Sequence, residues 1–321
     1  MSADQKTILI TGIAGFIGYH LAQVLNKRGD VVVGYDNFND FYSPKLKENR
    51  AKNLQKLGIA IIKGDICDAK ALQKIVENFS ITHLAHLAAQ PGVRYSLSNP
   101  QACIKSNVEG FVNILEVCRQ HPHIALTYAS SSSIYGLNEK VPFSENDRTD
   151  CQASIYGATK KSNELFAFTY HHLYGIAVTG LRYFTVYGPW GRPDMAYYSF
   201  TKAMIEDKPI KIFNYGDMVR DFTYIDDVVL GTVAAIDLNA SCETFNLGNH
   251  KPVKLSEFLN ILEEAVGKKA KIDYLPMQQG DVDKTFADIT HSQHLLGFQP
   301  TTSLETGLPK FVEWYKHYHL S

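Results

Sequence analysis

Several features are scarce or missing in this 321-residue sequence, and each absence removes a class of function. Charge of one sign is not in excess: 32 Lys and Arg stand against 33 Asp and Glu, for a formal net charge of -1. Without a run of like charge there is no electrostatic footprint for nucleic acid or for a membrane surface. Long apolar runs are also missing, since no stretch approaches the roughly 20 residues a membrane span needs. The chain passes from Met1 through polar residues directly into an apolar segment, so a soluble cytoplasmic protein is expected. Cysteine is sparse and odd in number. Cys67, Cys103, Cys118, Cys151 and Cys242 are never spaced as C-x-x-C and read as reduced core or filler residues. No repeat or low-complexity segment is visible. His83 and His86 face opposite sides of an extended segment, so no metal site is expected.

What is present is a long alternation of strand and helix signals. Residues 7–11 are apolar, and residues 16–25 carry a helical apolar pattern closed by Gly29. Between them lies Gly12-Ile13-Ala14-Gly15-Phe16-Ile17-Gly18, a G-x-x-G-x-x-G variant of the dinucleotide fingerprint. Gly12 permits the tight turn, Gly15 lets a pyrophosphate approach the backbone, and Gly18 lets helix pack on strand. The pyrophosphate would rest on the helix N-terminus beside Phe16 and Ile17. A second strand at residues 31–35 ends in Asp36, eighteen residues after Gly18, where a carboxylate meets the adenosine ribose. An acid there repels a 2'-phosphate, which favours NAD over NADP.

The alternation continues. Residues 39–56 read as loop and helix, residues 59–62 as a strand ending near Asp65 and Ile66, which suit the adenine ring, and residues 71–78 as a helix. A strand over residues 82–89 ends in Leu87, Ala88 and Ala89, small enough at its tip for a cofactor to lie against the backbone. A loop from Pro91 to Ser96 precedes one long helix from Pro100 through Asn107 to about Gln120, and residues 125–129 form a strand ending in four serines. Strands alternating with helices argue for βαβ units. The expected fold is an α/β, Rossmann-type doubly wound parallel sheet with a smaller C-terminal α/β substrate domain.

Ser154-Ile155-Tyr156-Gly157-Ala158-Thr159-Lys160 places a phenol and an ammonium four residues apart on one face of a helix. A neighbouring ammonium favours the phenolate and should lower the tyrosine pKa from about 10 toward neutrality, making Tyr156 a candidate general base. Upstream, Ser130-Ser131-Ser132-Ser133-Ile134-Tyr135-Gly136 lies at the strand end where open α/β sheets bind ligands.

In order and spacing these motifs resemble the extended short-chain dehydrogenase/reductase family. The resemblance implies that Ser131 hydrogen-bonds the reacting alcohol, that Lys160 also holds the nicotinamide ribose, and that Asn107 and Tyr183 join the cofactor site. Longer segments narrow it: His86-Leu87-Ala88-Ala89-Gln90-Pro91-Gly92-Val93-Arg94-Tyr95-Ser96, the stretch from Gly180 through Arg182-Tyr183-Phe184-Thr185 to Met195, and Arg220-Asp221-Phe222-Thr223-Tyr224-Ile225-Asp226-Asp227. These look like the UDP-glucuronate 4-epimerases from about Thr7 to at least Asp288.

That likeness implies an isomerase in which Tyr156 takes the C4 proton, hydride passes to a tightly bound and recycled NAD, and the 4-keto sugar turns over before reduction. Relatives that dehydrate the sugar place Asp and Glu where this chain has Ser132 and Ser133. Without that acid pair, the two hydroxyls and Thr185 suit a substrate carboxylate. Galactose-type epimerases have Asn at the Thr185 position. Arg94 and Arg192 are candidate anion clamps, each equally suited to a diphosphate or to a structural carboxylate. Arg220 resembles the diphosphate ligand, Ile212 and Phe213 the uracil wall, and Asp281 the uridine ribose ligand; Gln278 replaces a phosphate-binding Arg of many relatives.

Helices over residues 227–235, 255–266 and 304–317 complete the chain, with short strands at residues 244–248 and 272–274. The expected division is residues 1–180 with 216–250 for NAD and residues 181–215 with 251–321 for the UDP-sugar. The resemblance implies a homodimer paired through the helices around Asn107 and Tyr156. Two rivals remain: a UDP-glucuronate decarboxylase or dehydratase of the same family, and an NAD-binding sensor without chemistry.

Overall fold

Residues 5–320 are described by a computed structural model. The first apolar run is covered on both faces, with Ile8 and Ile10 in one hydrophobic core and Leu9 in the other. Such burial is why a parallel strand reads as continuously apolar. This strand, β1 (Thr7–Thr11), is followed by α1 (Phe16–Arg28), β2 (Val31–Asp36), α2 (Pro44–Lys56), β3 (Ala60–Lys63), α3 (Ala69–Phe79) and β4 (His83–His86). Next come α4 (Val93–Ser98), α5 (Pro100–Ile104), α6 (Gly110–Gln120), β5 (Ala125–Ser131), α7 (Ile155–Tyr174) and β6 (Val178–Tyr183). Then follow β7 (Thr185–Tyr187), α8 (Ala196–Ile205), β8 (Ile210–Ile212), β9 (Val219–Tyr224), α9 (Ile225–Leu238) and β10 (Cys242–Leu247). The chain closes with β11 (Pro252–Lys254), α10 (Leu255–Val266), β12 (Ile272–Tyr274), α11 (Thr290–Leu296) and α12 (Leu304–Leu320).

Seven strands form one sheet in the order β10-β6-β5-β4-β1-β2-β3, and every neighbouring pair is parallel. The chain winds outward from β1 to β3, then returns to β4 on the other side of β1. The order therefore reverses between β1 and β4, and the crevice at their C-terminal ends is where a doubly wound sheet receives a ligand. The remaining strands make two small sheets, β11-β9-β7 and β12-β8, beside that crevice.

Local departures from the sequence reading cluster at the crevice. The expected helix over residues 100–120 is broken by a π-helical turn, Lys105–Glu109, and the expected loop after Pro91 carries α4. Strand β4 stops at His86 because the Gly12 turn crosses its path: a Cβ on Gly12 would stand 2.7 Å from the Ala88 nitrogen. No helix among the described residues is long and apolar enough to cross a membrane.

Candidate active site

One cleft of about 970 Å³ runs along the C-terminal edge of the sheet, from Asp36 at one end to Phe213 and Asp281 at the other. Around the Gly12–Gly18 turn its wall is backbone. Gly12 turns at φ +74°, a left-handed conformation that glycine adopts without steric cost, and a Cβ on Gly18 would lie 2.3 Å from the Gly12 oxygen. Gly15, Phe16, Ile17, Leu87, Ala88 and Ala89 complete this floor. A groove whose base is bare backbone at a helix N-terminus has the shape and donors a dinucleotide pyrophosphate requires.

Asp36 closes the far end. Its Oδ2 accepts from Ala14 N at 3.0 Å and its Oδ1 from Phe38 N at 2.8 Å. Burial raises its pKa, while the Phe38 amide and the Lys47 ammonium oppose the rise. Lys47 donates to the Asn39 carbonyl at 2.7 Å, and burial draws it down to about 8. Ile66 lines the cleft, whereas Asp65 does not: its carboxylate accepts from Asn37 Nδ2 and Cys67 N, both at 2.9 Å. Asn107, expected on the cofactor, lies buried behind the wall. Its side chain accepts from Gln90 N at 2.7 Å and donates to Gln90 O at 3.0 Å and Thr159 Oγ1 at 3.1 Å. It thus fixes the strand tip against α7, and the π-turn is the distortion that brings it there. Tyr183 lines the cleft with its ring while its hydroxyl pairs with Thr232 Oγ1 at 3.0 Å.

At mid-cleft, β5 delivers the serines and α7 delivers Tyr156 and Lys160. Ser154 caps α7 by accepting from Gly157 N at 3.0 Å, which sets the helix start one residue before the tyrosine. Tyr156, Lys160, Ser131, Ser132, Ser133 and Thr185 all line the same cleft. The expected acidification of Tyr156 by Lys160 is not what the geometry gives. Lys160 is buried and donates to Ala129 O at 2.9 Å, and burial lowers its own pKa to about 8. Burial instead raises Tyr156 above its ordinary value; the Arg192 charge and a hydrogen bond with Ser131 pull it back. The charge that most opposes this rise is therefore that of Arg192.

Beneath the serines sits a network that the sequence reading missed. Ser130 Oγ donates to Glu164 Oε1 at 2.7 Å, and Arg182 grips the same carboxylate with Nε and Nη2, both at 2.9 Å. Arg182 Nη1 donates to Tyr135 Oη at 3.0 Å, which donates to Asn246 at 2.7 Å. Glu164 lies one helical turn beyond Lys160, the single trace of this network in the local sequence.

The sugar and nucleotide end is made of side chains. Arg192 pairs with Asp194 at 2.5 Å and Arg94 with Asp281 at 2.9 Å, so each candidate clamp is already held by a carboxylate. Arg94 also lies over the Phe213 ring, 4.6 Å from its centroid. Arg220 donates to the carbonyls of Val219 at 3.0 Å, Asp283 at 2.9 Å and Val282 at 2.5 Å, anchoring the segment that carries Asp281. Ile212 lines the cleft beside Phe213. Gln278 Oε1 is buried without a hydrogen-bond partner.

The sequence matches the GDP-mannose 4,6 dehydratase family over residues 9–311. It is 51% identical to UDP-glucuronate 4-epimerase 4 of Arabidopsis thaliana over 98% of this chain and 76% of that one. It is 46% identical to Protein CapI of Staphylococcus aureus over 97% of this chain and 99% of that one. Its fold superposes with a TM-score of 0.91 on the UDP-glucuronic acid 4-epimerase of Bacillus cereus in complex with UDP-glucuronic acid and NAD, at 37% identity, covering 98% of this chain and all of that one.

Proposed function

Because the chain belongs to the family of UDP-glucuronate 4-epimerases, within the extended short-chain dehydrogenases/reductases, we propose that it interconverts UDP-glucuronate and UDP-galacturonate with NAD as a resident cofactor. The observation that carries this reading is the meeting of Tyr156 and Ser131 with three further hydroxyls, Ser132, Ser133 and Thr185, in one cleft. When bound along the Gly12–Gly18 turn, NAD supplies the acceptor and donor of hydride and the positive charge of its oxidised ring. The glycine backbone and Asp36 suit its pyrophosphate and adenosine ribose, and Lys160 its nicotinamide ribose.

Tyr156 takes the proton from the C4 hydroxyl and later returns it to the C4 oxygen of the inverted sugar. Ser131 hydrogen-bonds that oxygen throughout. The 4-keto uronate is a β-keto acid, and its carboxylate departs as carbon dioxide once the bond to it aligns with the carbonyl π system. Ser132, Ser133 and Thr185 hold that carboxylate out of alignment, and Arg192 adds charge at the same place. No carboxylic acid stands at the Ser132 and Ser133 positions to catalyse loss of water instead. Arg220, Ile212, Phe213 and Asp281 hold the UDP, with Arg94 closing over Asp281.

The functional division follows residues 1–180 with 216–250 for NAD and residues 181–215 with 251–321 for UDP-sugar, save that β6 carries residues 181–183 within the large sheet and β9 lies in a small one. The exposed apolar side chains Leu165, Phe168 and Leu173 on α7 support a homodimer paired through that helix. A cytoplasmic location accords with the nucleotide-sugar substrate. Incubation of purified protein with UDP-glucuronate and no added NAD should yield a second UDP-uronate by NMR. UDP-pentose in its place would move the assignment to decarboxylation, and no turnover with NAD retained would indicate a sensor.

A further inference from the structure

Arg50, on α2, has no solvent exposure and is the largest fully buried side chain among the described residues. Buried guanidinium groups usually face carboxylates; this one faces carbonyls. Its Nη1 donates to Ala14 O at 2.8 Å and Tyr42 Oη at 2.7 Å, and its Nη2 donates to Trp190 O at 2.5 Å and Gly191 O at 3.2 Å. Its Nε is buried with no acceptor. A charge desolvated in this way is tolerated only where hydrogen bonds replace its lost hydration, and those bonds tie together the groups that make them.

What it fixes can be read from its partners. Ala14 lies in the glycine turn, and its amide is held on both sides, N–H by Asp36 and C=O by Arg50. Trp190 sits at φ +61°, a left-handed conformation unusual for a bulky residue, and packs on Tyr19, Trp314 and Tyr318 with ring centroids 5.1 to 5.3 Å apart. Gly191 is hemmed in, since a Cβ there would lie 2.0 Å from Tyr197 Oη. The next residue is Arg192, whose charge is the foremost influence drawing the Tyr156 phenol back toward ionisation. One rigid five-donor fork therefore spans from the cofactor turn to the loop that carries Arg192.

We propose that Arg50 is a positioning residue that registers the 190–194 loop, and through it Arg192, against the cofactor turn. Its influence on the reaction runs through Arg192, which in turn rests on the epimerase reading above. Lysine at this position would keep the charge but cannot hold the Ala14 and Trp190–Gly191 carbonyls at once.

Two measurements test the proposal, and either can overturn it. Trp190 and Trp314 are the two tryptophans of the chain. In a Trp314→Phe background, Arg50→Lys should shift the Trp190 emission of the substrate-free protein to longer wavelength; unchanged emission would mean that the loop does not depend on Arg50. The second is a double-mutant cycle on kcat for UDP-glucuronate with Arg50→Met and Arg192→Gln. Each single change should lower kcat by roughly tenfold to a hundredfold, and the pair should be hardly worse than Arg192→Gln alone. Multiplicative effects would overturn the proposal, because a merely structural Arg50 would add its own loss. Should Arg50→Met not fold, the cycle is read with Arg50→Lys, and failure of both to give folded protein by circular dichroism would assign Arg50 to fold stability alone. If the wild-type protein does not turn over UDP-glucuronate, the epimerase reading falls, while the emission measurement still decides the part played by Arg50.

Discussion

At the cofactor end of the cleft the wall is main chain, folded so tightly that a single methyl group at Gly12 or Gly18 meets backbone atoms under 3 Å away. At the sugar end the wall is side chains, brought from β5, α7, β7 and the 190–194 loop among others, with Arg94 and Arg192 already paired to acids. The first construction leaves no freedom: its chemistry is position and partial charge, and a substitution alters the fold before it alters selectivity. The second is adjustable, because exchanging a hydroxyl for an amide alters a side chain of the wall and leaves the backbone of the sheet as it is.

Substitutions at the two ends should therefore fail in different ways. Tyr156→Phe, at the junction, should lower turnover by about 10²–10⁴-fold with UDP binding little changed, as read by steady-state kinetics and nucleotide titration; near-normal turnover would remove Tyr156 as the base. Gly18→Ala should cost roughly 1–3 kcal/mol of stability and strip the protein of NAD, measured by denaturant unfolding and by cofactor extraction. Retained NAD would break the claim that the backbone end has no slack. Thr185→Asn should leave NAD content and Tm alone while uronate turnover drops about tenfold, the scale of one lost hydrogen bond to a charged group. Better use of UDP-glucose with no harm to the uronate would contradict the carboxylate role.

Smaller effects concern ionisation. Arg192 draws the Tyr156 pKa down, so Arg192→Gln should push the rise of kcat/KM with pH to higher pH; an unmoved profile would leave Lys160 as the controlling charge. In the scaffold shared by both ends, His86 is buried against Thr11 and Phe111, and burial holds its pKa down to about 3. Its unfolded value is near 6.5, so between these pH values the unfolded chain binds a proton that the native state refuses. Stability from this residue thus falls as pH drops below about 6.5. His86→Gln should flatten the acid-side slope of unfolding free energy by up to about 1.4 kcal/mol per pH unit, seen in urea titrations at several pH values.

The cofactor end was readable from local sequence, because the glycine spacing, the strand that precedes it and Asp36 all lie within thirty residues of one another. Strand and helix alternation likewise gave the doubly wound sheet. The sugar end was readable only through the resemblance of long motifs, since nothing local says that Thr185 shares a cleft with Ser132. What escaped both was long-range: Arg50 reaches a carbonyl 140 positions away, and Tyr135 reaches Asn246 across 111. Sequence spacing also misdirected the reading of Lys160. It lies one turn from Tyr156 as the helix period requires, yet its ammonium is taken by the Ala129 carbonyl at the end of β5. A shared helix face establishes proximity, and the neighbouring strand decides which acceptor is used.

The central claim is that the hydroxyls around Tyr156 keep the carboxylate in place after C4 is oxidised. The most direct measurement follows UDP-glucuronate labelled isotopically at its carboxyl carbon, incubated with the purified protein and no added NAD. Label confined to UDP-glucuronate and UDP-galacturonate at equilibrium is the predicted result. Label released as carbon dioxide at a rate comparable to turnover, with UDP-pentose accumulating, would contradict it.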